Sequence, residues 1–156
     1  MFSFFKKNKI TKVEGVKIIN KIYPAKIILA WAKSLEGNIE IAQYLKENNY
    51  EELVFSNAAI YLKQEARDWL MKNGFPHLMA FIHASEGDQK ASDWLLKNNF
   101  ELLYQMALAI DGENESWLWL KKYSTPDFFI LTQSIKKVKD SIEENHNDIH
   151  SFGKDS

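Results

Sequence analysis

The sequence predicts an all-α fold, a small α-solenoid of about four to five stacked helical hairpins. Three observations carry this prediction. Tyr44, Trp69, Trp94 and Trp119 stand 25 residues apart, and Leu45, Leu70, Leu95 and Leu120 follow them one by one. Apolar residues within each unit fall at helical spacing, as in Leu78, Phe81, Ile82 and Ser85, and again in Leu103, Met106, Ala107 and Ile110. Only six glycines and three prolines occur in 156 residues, too few for a turn-rich β-protein.

Other positions keep the same step. Leu53, Leu78, Leu103 and Phe128 share one phase, which Ile28 extends backwards. Gly37, Gly87 and Gly112 share another, broken by Leu62, and Pro76 and Pro126 share a third. Agreement of this many phases on one period identifies a repeat, and a hairpin repeat buries its faces only by stacking on its neighbours.

Each unit reads as two short helices. The first runs near Leu78–Ser85 in the best-defined unit. Pro76 sits at its start, where a missing N–H costs nothing. Gly87 follows its end, where the chain needs a left-handed residue. Asp88, and Asn38 in its own unit, can cap the second helix through a side-chain oxygen. That helix runs near Gln89–Lys97 with Ala91, Trp94 and Leu95 as its apolar stripe. Asn98-Asn99, Asn73-Gly74 and Asn48-Asn49 end the second helices. The first helices are apolar over a wide arc, since Leu29, Val54, Met79, Tyr104 and Phe129 lie outside the main stripe, so they should be covered on several sides. Ser34, Ala59, Ala84, Ala109 and Ser134 share a phase of small residues, predicting close approach of neighbouring helices. First helices are expected near Ile28, Leu53, Leu78, Leu103 and Phe128, with four second helices between them.

One solenoid domain over residues 10–139 is expected, with a flexible basic and aromatic segment at 1–9 and a polar, disordered tail at 140–156. Residues 10–23 carry Ile10, Val13, Val16, Ile19 and Ile22 at three-residue spacing. They read as a degenerate second helix, with a strand as the alternative because valine and isoleucine are dense.

At Ser34-Leu35-Glu36-Gly37-Asn38-Ile39-Glu40-Ile41-Ala42-Gln43-Tyr44-Leu45-Lys46-Glu47-Asn48 the chain resembles the helical part of an ankyrin repeat. Ala84-Ser85-Glu86-Gly87-Asp88 and Ala109-Ile110-Asp111-Gly112-Glu113 repeat its first half, and Trp94-Leu95 and Trp119-Leu120 its second. The period of 25 is shorter than the usual 33 of that family, and the Thr-Pro-Leu-His start is absent, leaving no room for a β-finger. The resemblance covers roughly residues 25–136 and implies a binding scaffold. It carries no catalytic residue.

Chemistry-bearing motifs are scarce. With no cysteine, disulfides, thiolate metal sites and thiol nucleophiles are excluded. No nucleophile elbow, zinc-protease motif or phosphate-cradling glycine loop occurs. No cofactor is expected, and the protein is read as not an enzyme. His77 and His83 are spaced off one helical face, and the pair His146 and His150 lies in the polar tail, so no metal site is assigned. The aromatic column reads as packing between repeats rather than as a row for stacking a ligand.

The net charge of −1 hides an asymmetry: residues 1–33 carry +7, residues 34–135 carry −7 and residues 136–156 carry −1. The basic part is lysine, and Arg67 is the only arginine of the chain, which argues against specific nucleic-acid reading. The partner expected is another protein with a basic patch, facing Lys33, Tyr61, His83, Glu86, Gln105, Leu108 and Asp111. An alternative is weak attachment to an anionic membrane surface through Phe2, Phe4, Phe5, Lys6 and Lys7. Open ends of a short stack leave dimerisation as a further reading. No apolar run long enough to span a membrane occurs, and Phe2–Lys7 has its apolar part before its charges, unlike a secretory signal, so cytoplasmic residence is expected.

Overall fold

The computed structural model describes the backbone of residues 8–13 and 16–155, and the side chains of residues 17–146. Two strands, β1 (Asn8–Val13) and β2 (Val16–Lys21), precede nine helices among the described residues. These are α1 (Ala25–Leu35), α2 (Ile39–Glu47), α3 (Glu51–Ile60), α4 (Gln64–Lys72), α5 (Pro76–Ser85), α6 (Gln89–Lys97), α7 (Glu101–Ile110), α8 (Asn114–Tyr123) and α9 (Pro126–Asp155). The body is all-helical as expected, and a short β-hairpin precedes it.

Residues 10–23 do not form the expected degenerate helix. β1 and β2 pair antiparallel with Ile10 opposite Ile19 and Val13 opposite Val16. β-branched side chains lose rotamer freedom in a helix and suit a pleated surface, which favours the strand here. The hairpin docks through β2. The Ile19 amide donates to the Gly74 carbonyl at 2.6 Å, Lys21 donates to the Asn49 carbonyl at 2.6 Å, and Lys21 also meets Glu52 at 3.0 Å. Tyr23 donates to the second oxygen of Glu52 at 2.6 Å. The Glu52 carboxylate is buried and satisfied from both sides, the condition for a buried charge to be tolerated. Burial, then the charge of Glu52, raises the Tyr23 pKa well above its ordinary value.

The helical connections obey the local chemistry. Pro76 opens α5, Asn38 caps α2 by accepting from the Ile41 amide at 3.0 Å, and Asp88 caps α6 by accepting from Ala91 at 3.2 Å. Asn48, Asn73 and Asn98 each donate to the carbonyl four residues back, at 2.8 Å in every case. Leu62 occupies the left-handed region at φ +70°, the conformation that Gly37, Gly87 and Gly112 adopt at the corresponding places.

Helices α3, α5, α7 and α9 begin at residues 51, 76, 101 and 126, and α4, α6 and α8 follow from α2 at 64, 89 and 114. Each odd-numbered helix from α1 to α7 packs on the helix that follows it and on the next odd-numbered one. Leu45, Leu70, Leu95 and Leu120 are fully buried. Each such side chain contributes roughly 1.5–3 kcal/mol relative to exposure. The small residues Ser34, Ala59, Ala84, Ala109 and Ser134 are all buried as well.

The last helix departs from expectation. α3, α5 and α7 stop at Ile60, Ser85 and Ile110, but α9 continues to Asp155 through the segment expected to be a disordered tail. Its counterpart of the glycine terminators is Lys137, a good helix former with no tendency to turn the chain. Lys136 and Asp140 add an i,i+4 ion pair at 3.0 Å. Helix α9 also packs against α1, with the Ser134 hydroxyl donating to Glu36 at 2.8 Å.

Two turn positions should respond in opposite directions. Leu62→Gly relieves a left-handed leucine that is mostly solvent-exposed, and should raise stability by about 1 kcal/mol. Gly74 has φ +93°, and a Cβ there would lie 2.7 Å from Ile19 Cγ1. Gly74→Ala should therefore cost about 2 kcal/mol or more, through backbone strain and displacement of β2. Urea unfolding midpoints of the two variants check both signs.

Candidate functional site

The seven side chains predicted to form one binding face do not converge on one place. Lys33 is exposed and pairs with Glu36 at 3.6 Å, while Tyr61 reaches the Leu35 carbonyl at 3.4 Å. Both therefore lie by the C-terminal end of α1. His83 and Glu86 belong to a charged cluster around Arg67. Gln105 and Leu108 line a separate groove with Tyr104, Glu113, Glu115, Ser116 and Trp119, about 410 Å³ in volume. Phe2, Phe4, Phe5, Lys6 and Lys7 lie outside the described residues.

The charged cluster is assembled from α4, α5 and α9. Arg67 is buried and donates to the Ala59 carbonyl at 3.0 and 3.2 Å, capping the end of α3. Its Nη1 and Nη2 meet the Glu86 carboxylate at 2.9 and 3.0 Å, Nη2 being shared with the Ala59 carbonyl, and Nη1 also lies 3.4 Å from the Nδ1 atom of His83. Lys139, from the unexpected extension of α9, comes within 3.9 Å of the same Glu86. Burial lowers the Lys139 pKa, and the neighbouring carboxylates of Glu86, Glu143 and Asp111 oppose that shift. Glu86 was expected to await a basic partner, but two basic residues of its own chain already hold it. Asp111 stays exposed, its carboxylate lying close to Gly87.

Beside this cluster is a cleft of about 520 Å³ lined by Ile60, Leu62, Glu86, Lys139, Ile142, Glu143 and His146. Its lining combines the apolar Ile60, Leu62 and Ile142 with side chains of both charge signs. Among the described residues no three His, Asp or Glu side chains are placed to hold a metal ion, and no helix is long and apolar enough to cross a membrane.

Of the aromatic column, Trp69 and Trp94 are engaged internally, whereas Tyr44 is exposed and Trp119 meets the exposed Tyr123. Phe55 stacks on Trp69 with ring centroids 3.9 Å apart, Trp69 lies parallel to Phe75 at 6.0 Å, and Trp94 lies parallel to Phe100 at 5.8 Å. Lys21 sits between Tyr50 and Phe75, 5.6 and 5.7 Å from their rings, tying the hairpin to this layer. His77 joins the same layer, stacked on Phe100 at 5.0 Å, with its Nδ1 buried and without a hydrogen-bond partner.

Two further residues escaped the sequence reading. Arg67 stands where other units have Ala42, Ser92 and Trp117, and being the only arginine was its one signal. Lys139 gave no signal, since it falls in a segment read as the edge of a tail.

No protein-family model matches the chain, and no curated protein or solved structure matches it either. The functional reading therefore rests on the residues and their geometry.

His77 gives the site layer a pH dependence with a defined sign. Burial lowers its pKa from 6.5 to about 4, so the folded protein keeps the imidazole neutral while the unfolded chain binds a proton. Nothing is lost above pH 6.5. Below it, stability falls by about 1.4 kcal/mol per pH unit until pH 4, roughly 3 kcal/mol in all. His77→Leu, which places the residue found at the corresponding Leu102, should remove this part of the acid sensitivity and the orphaned nitrogen. Comparing urea midpoints of the variant and the parent at pH 7 and pH 4.5 tests it. Equal acid losses in both proteins would show that His77 carries none of the effect.

Proposed function

We propose that this chain is a non-catalytic protein–protein interaction scaffold, a small α-solenoid of ankyrin-like helical hairpins with a 25-residue period and no β-finger. Cytoplasmic residence is part of the same reading.

The observation that supports it is a division of labour along the odd-numbered helices. Positions that pack are filled alike, as in the buried series Ala59, Ala84 and Ala109 between Ser34 and Ser134. The position just before this series holds Lys33, Ala58, His83, Leu108 and Gln133, none of them buried. A scaffold that keeps its core constant while varying its accessible side chains is built to recognise surfaces, and the chemistry of each site, not the fold, decides which. The acidic body, −7 over residues 34–135, favours a partner with a basic patch. One part of that surface is the groove of the half-buried Gln105 and Leu108, where Glu113 and Glu115 are exposed.

Site-specific photocrosslinking in cells tests the reading. A photoreactive phenylalanine analogue at Leu108 should give a discrete crosslinked adduct that weakens in high salt. The same analogue at Lys46, on the solvent side of α2, should give none. Absence of any adduct from Leu108, or the same adducts from both positions, counts against a scaffold acting through this face.

A further inference from the structure

The geometry points to an autoinhibitory contact: strand β2 is a releasable strap that occupies, within its own chain, a cradle for a lysine-bearing extended segment of a partner protein. The cradle lies at the α2–α3 and α4–α5 connections. This inference rests on the scaffold reading proposed above.

The seat of Lys21 has the make-up of a lysine site. The ammonium donates to the Asn49 carbonyl at 2.6 Å and to the Glu52 carboxylate at 3.0 Å. It also lies 5.6 Å from the Tyr50 ring and 5.7 Å from the Phe75 ring, and both rings attract a cation. One carbonyl, one carboxylate and two rings thus recognise a single ammonium. Glu52 is buried and belongs to α3, while its cation arrives from outside the helices. A cleft of about 310 Å³ beside the seat is lined, apart from Ile19 and Lys21 of the strap, by Asn49, Glu51, Glu52, Trp69, Asn73 and Phe75. Lys21 is the only base in that lining, so the remainder of the seat selects a cation. Glu51 is exposed there and offers an incoming ammonium a first carboxylate to meet.

β2 also shows which backbone fits. Ile19 and Lys21 stand two residues apart in the strand and share one face. The Ile19 amide donates to the Gly74 carbonyl at 2.6 Å, as the backbone of any added strand would. A Cβ on Gly74 would lie 2.7 Å from Ile19 Cγ1, so the bare glycine is what lets the strand approach this closely.

The helical body closes without the strap. Helix α9 packs on α1, and successive odd-numbered helices pack on one another. β1 and β2 form a two-stranded sheet of their own, and such a hairpin is marginal by itself. The chain leaves the strap through the exposed Ile22 and enters α1 after Pro24, whose backbone is extended. Tyr23 keeps its bond to Glu52 when Lys21 departs, so the buried carboxylate retains a donor and the hairpin pivots at Ile22. Lifting the strap therefore spares Leu45, Leu70, Leu95 and Leu120, the buried leucines of the helical hairpins.

Two measurements on the full chain test the contact. Amide hydrogen exchange reads the strap's own bond: the Ile19 amide should exchange about a hundredfold or more faster than the amides of Ile82 and Met106 in the core. Lys21→Glu, which sets a carboxylate against Glu52, should speed Ile19 about tenfold further and leave the core amides and the helical circular dichroism unchanged. A fluorescent peptide copying residues 8–21 then stands in for the partner. By anisotropy it should bind the Lys21→Glu protein saturably and the parent about tenfold more weakly, because the parent's own strap holds the cradle. The same peptide carrying Lys21→Glu should bind neither protein. The inference is overturned if Ile19 exchanges no faster than the core amides, or if Lys21→Glu unfolds the helices. It is also overturned if the peptide binds both proteins alike or binds neither. A parent dimer in sedimentation equilibrium that Lys21→Glu splits overturns it as well, since the cradle would then hold the strap of a second copy. A discrete adduct from Leu108 in the face of such a failure would leave the scaffold reading standing and remove only the autoinhibitory contact.

Discussion

The packing of α9 on α1 is the contact on which the rest of the architecture depends. Odd-numbered helices contact their successors from α1 through α9, and the return of α9 onto α1 closes the circuit. A linear stack of hairpins leaves its first and last inner helices with bare apolar faces, which usually need polar caps. Here those two faces cover each other. The buried side of α1, with Ile27, Ile28, Trp31 and Leu35, and that of α9, with Leu131 and Ile135, belong to one core. Polar groups fix the register: Trp31 donates to Asn57 at 2.9 Å, Asn57 to Ser34 at 2.8 Å, and Ser134 to Glu36 at 2.8 Å. The open inner ends from which dimerisation was argued are thus occupied within the chain itself.

The hairpin β1–β2 belongs to the same economy of faces. It lies across connections α2–α3 and α4–α5, whose carbonyls at Asn49 and Gly74 accept from Lys21 and Ile19. Those carbonyls sit at left-handed residues, where the helix has ended and its last groups need donors. The strand supplies them, and Lys21 adds a cation between two aromatic rings. Ile19 packs against the main core, and its neighbour Ile18 is fully buried. A helix in the same place would have satisfied its own backbone and left the loop carbonyls to water.

Most of the helical body was legible in the residues. The 25-residue step located each helix within two or three residues, because proline, glycine and asparagine act locally and their effect does not depend on the rest of the fold. Leu62 breaks the glycine phase in sequence yet takes the same left-handed conformation, which the sequence reading did not anticipate. Two things were not legible. The spacing of valine and isoleucine over 10–23 fits a helix and a strand equally, and the choice depends on carbonyls more than 25 residues away. The extension of α9 was masked by its polarity, although Lys137 in a glycine's place was a signal that the helix does not stop. The exposure of the seven candidate residues was the least legible part. Exposure was inferred by phase within each unit, and phase cannot show that α9 crosses to Glu86 from outside the repeat.

That crossing also explains why the acidic surface is not uniform. Had α9 ended near residue 135, as its counterparts do, Glu86 would keep only Arg67 and His83 as neighbours. Lys139 would be absent from the cleft of Ile60, Leu62 and Ile142. The extension of the helix past Lys137, which stands at the place of a terminating glycine, therefore does two jobs on different sides of α9. On one side it brings a lysine to Glu86, whereas Asp111, Glu113 and Glu115 stay exposed. On the other it leaves out the second helix of a fifth hairpin, and Phe129 and Ile130 line a groove. In this chain the replacement of a terminating glycine by Lys137 alters an acidic face and an apolar one together, so the two faces are coupled through the length of a single helix.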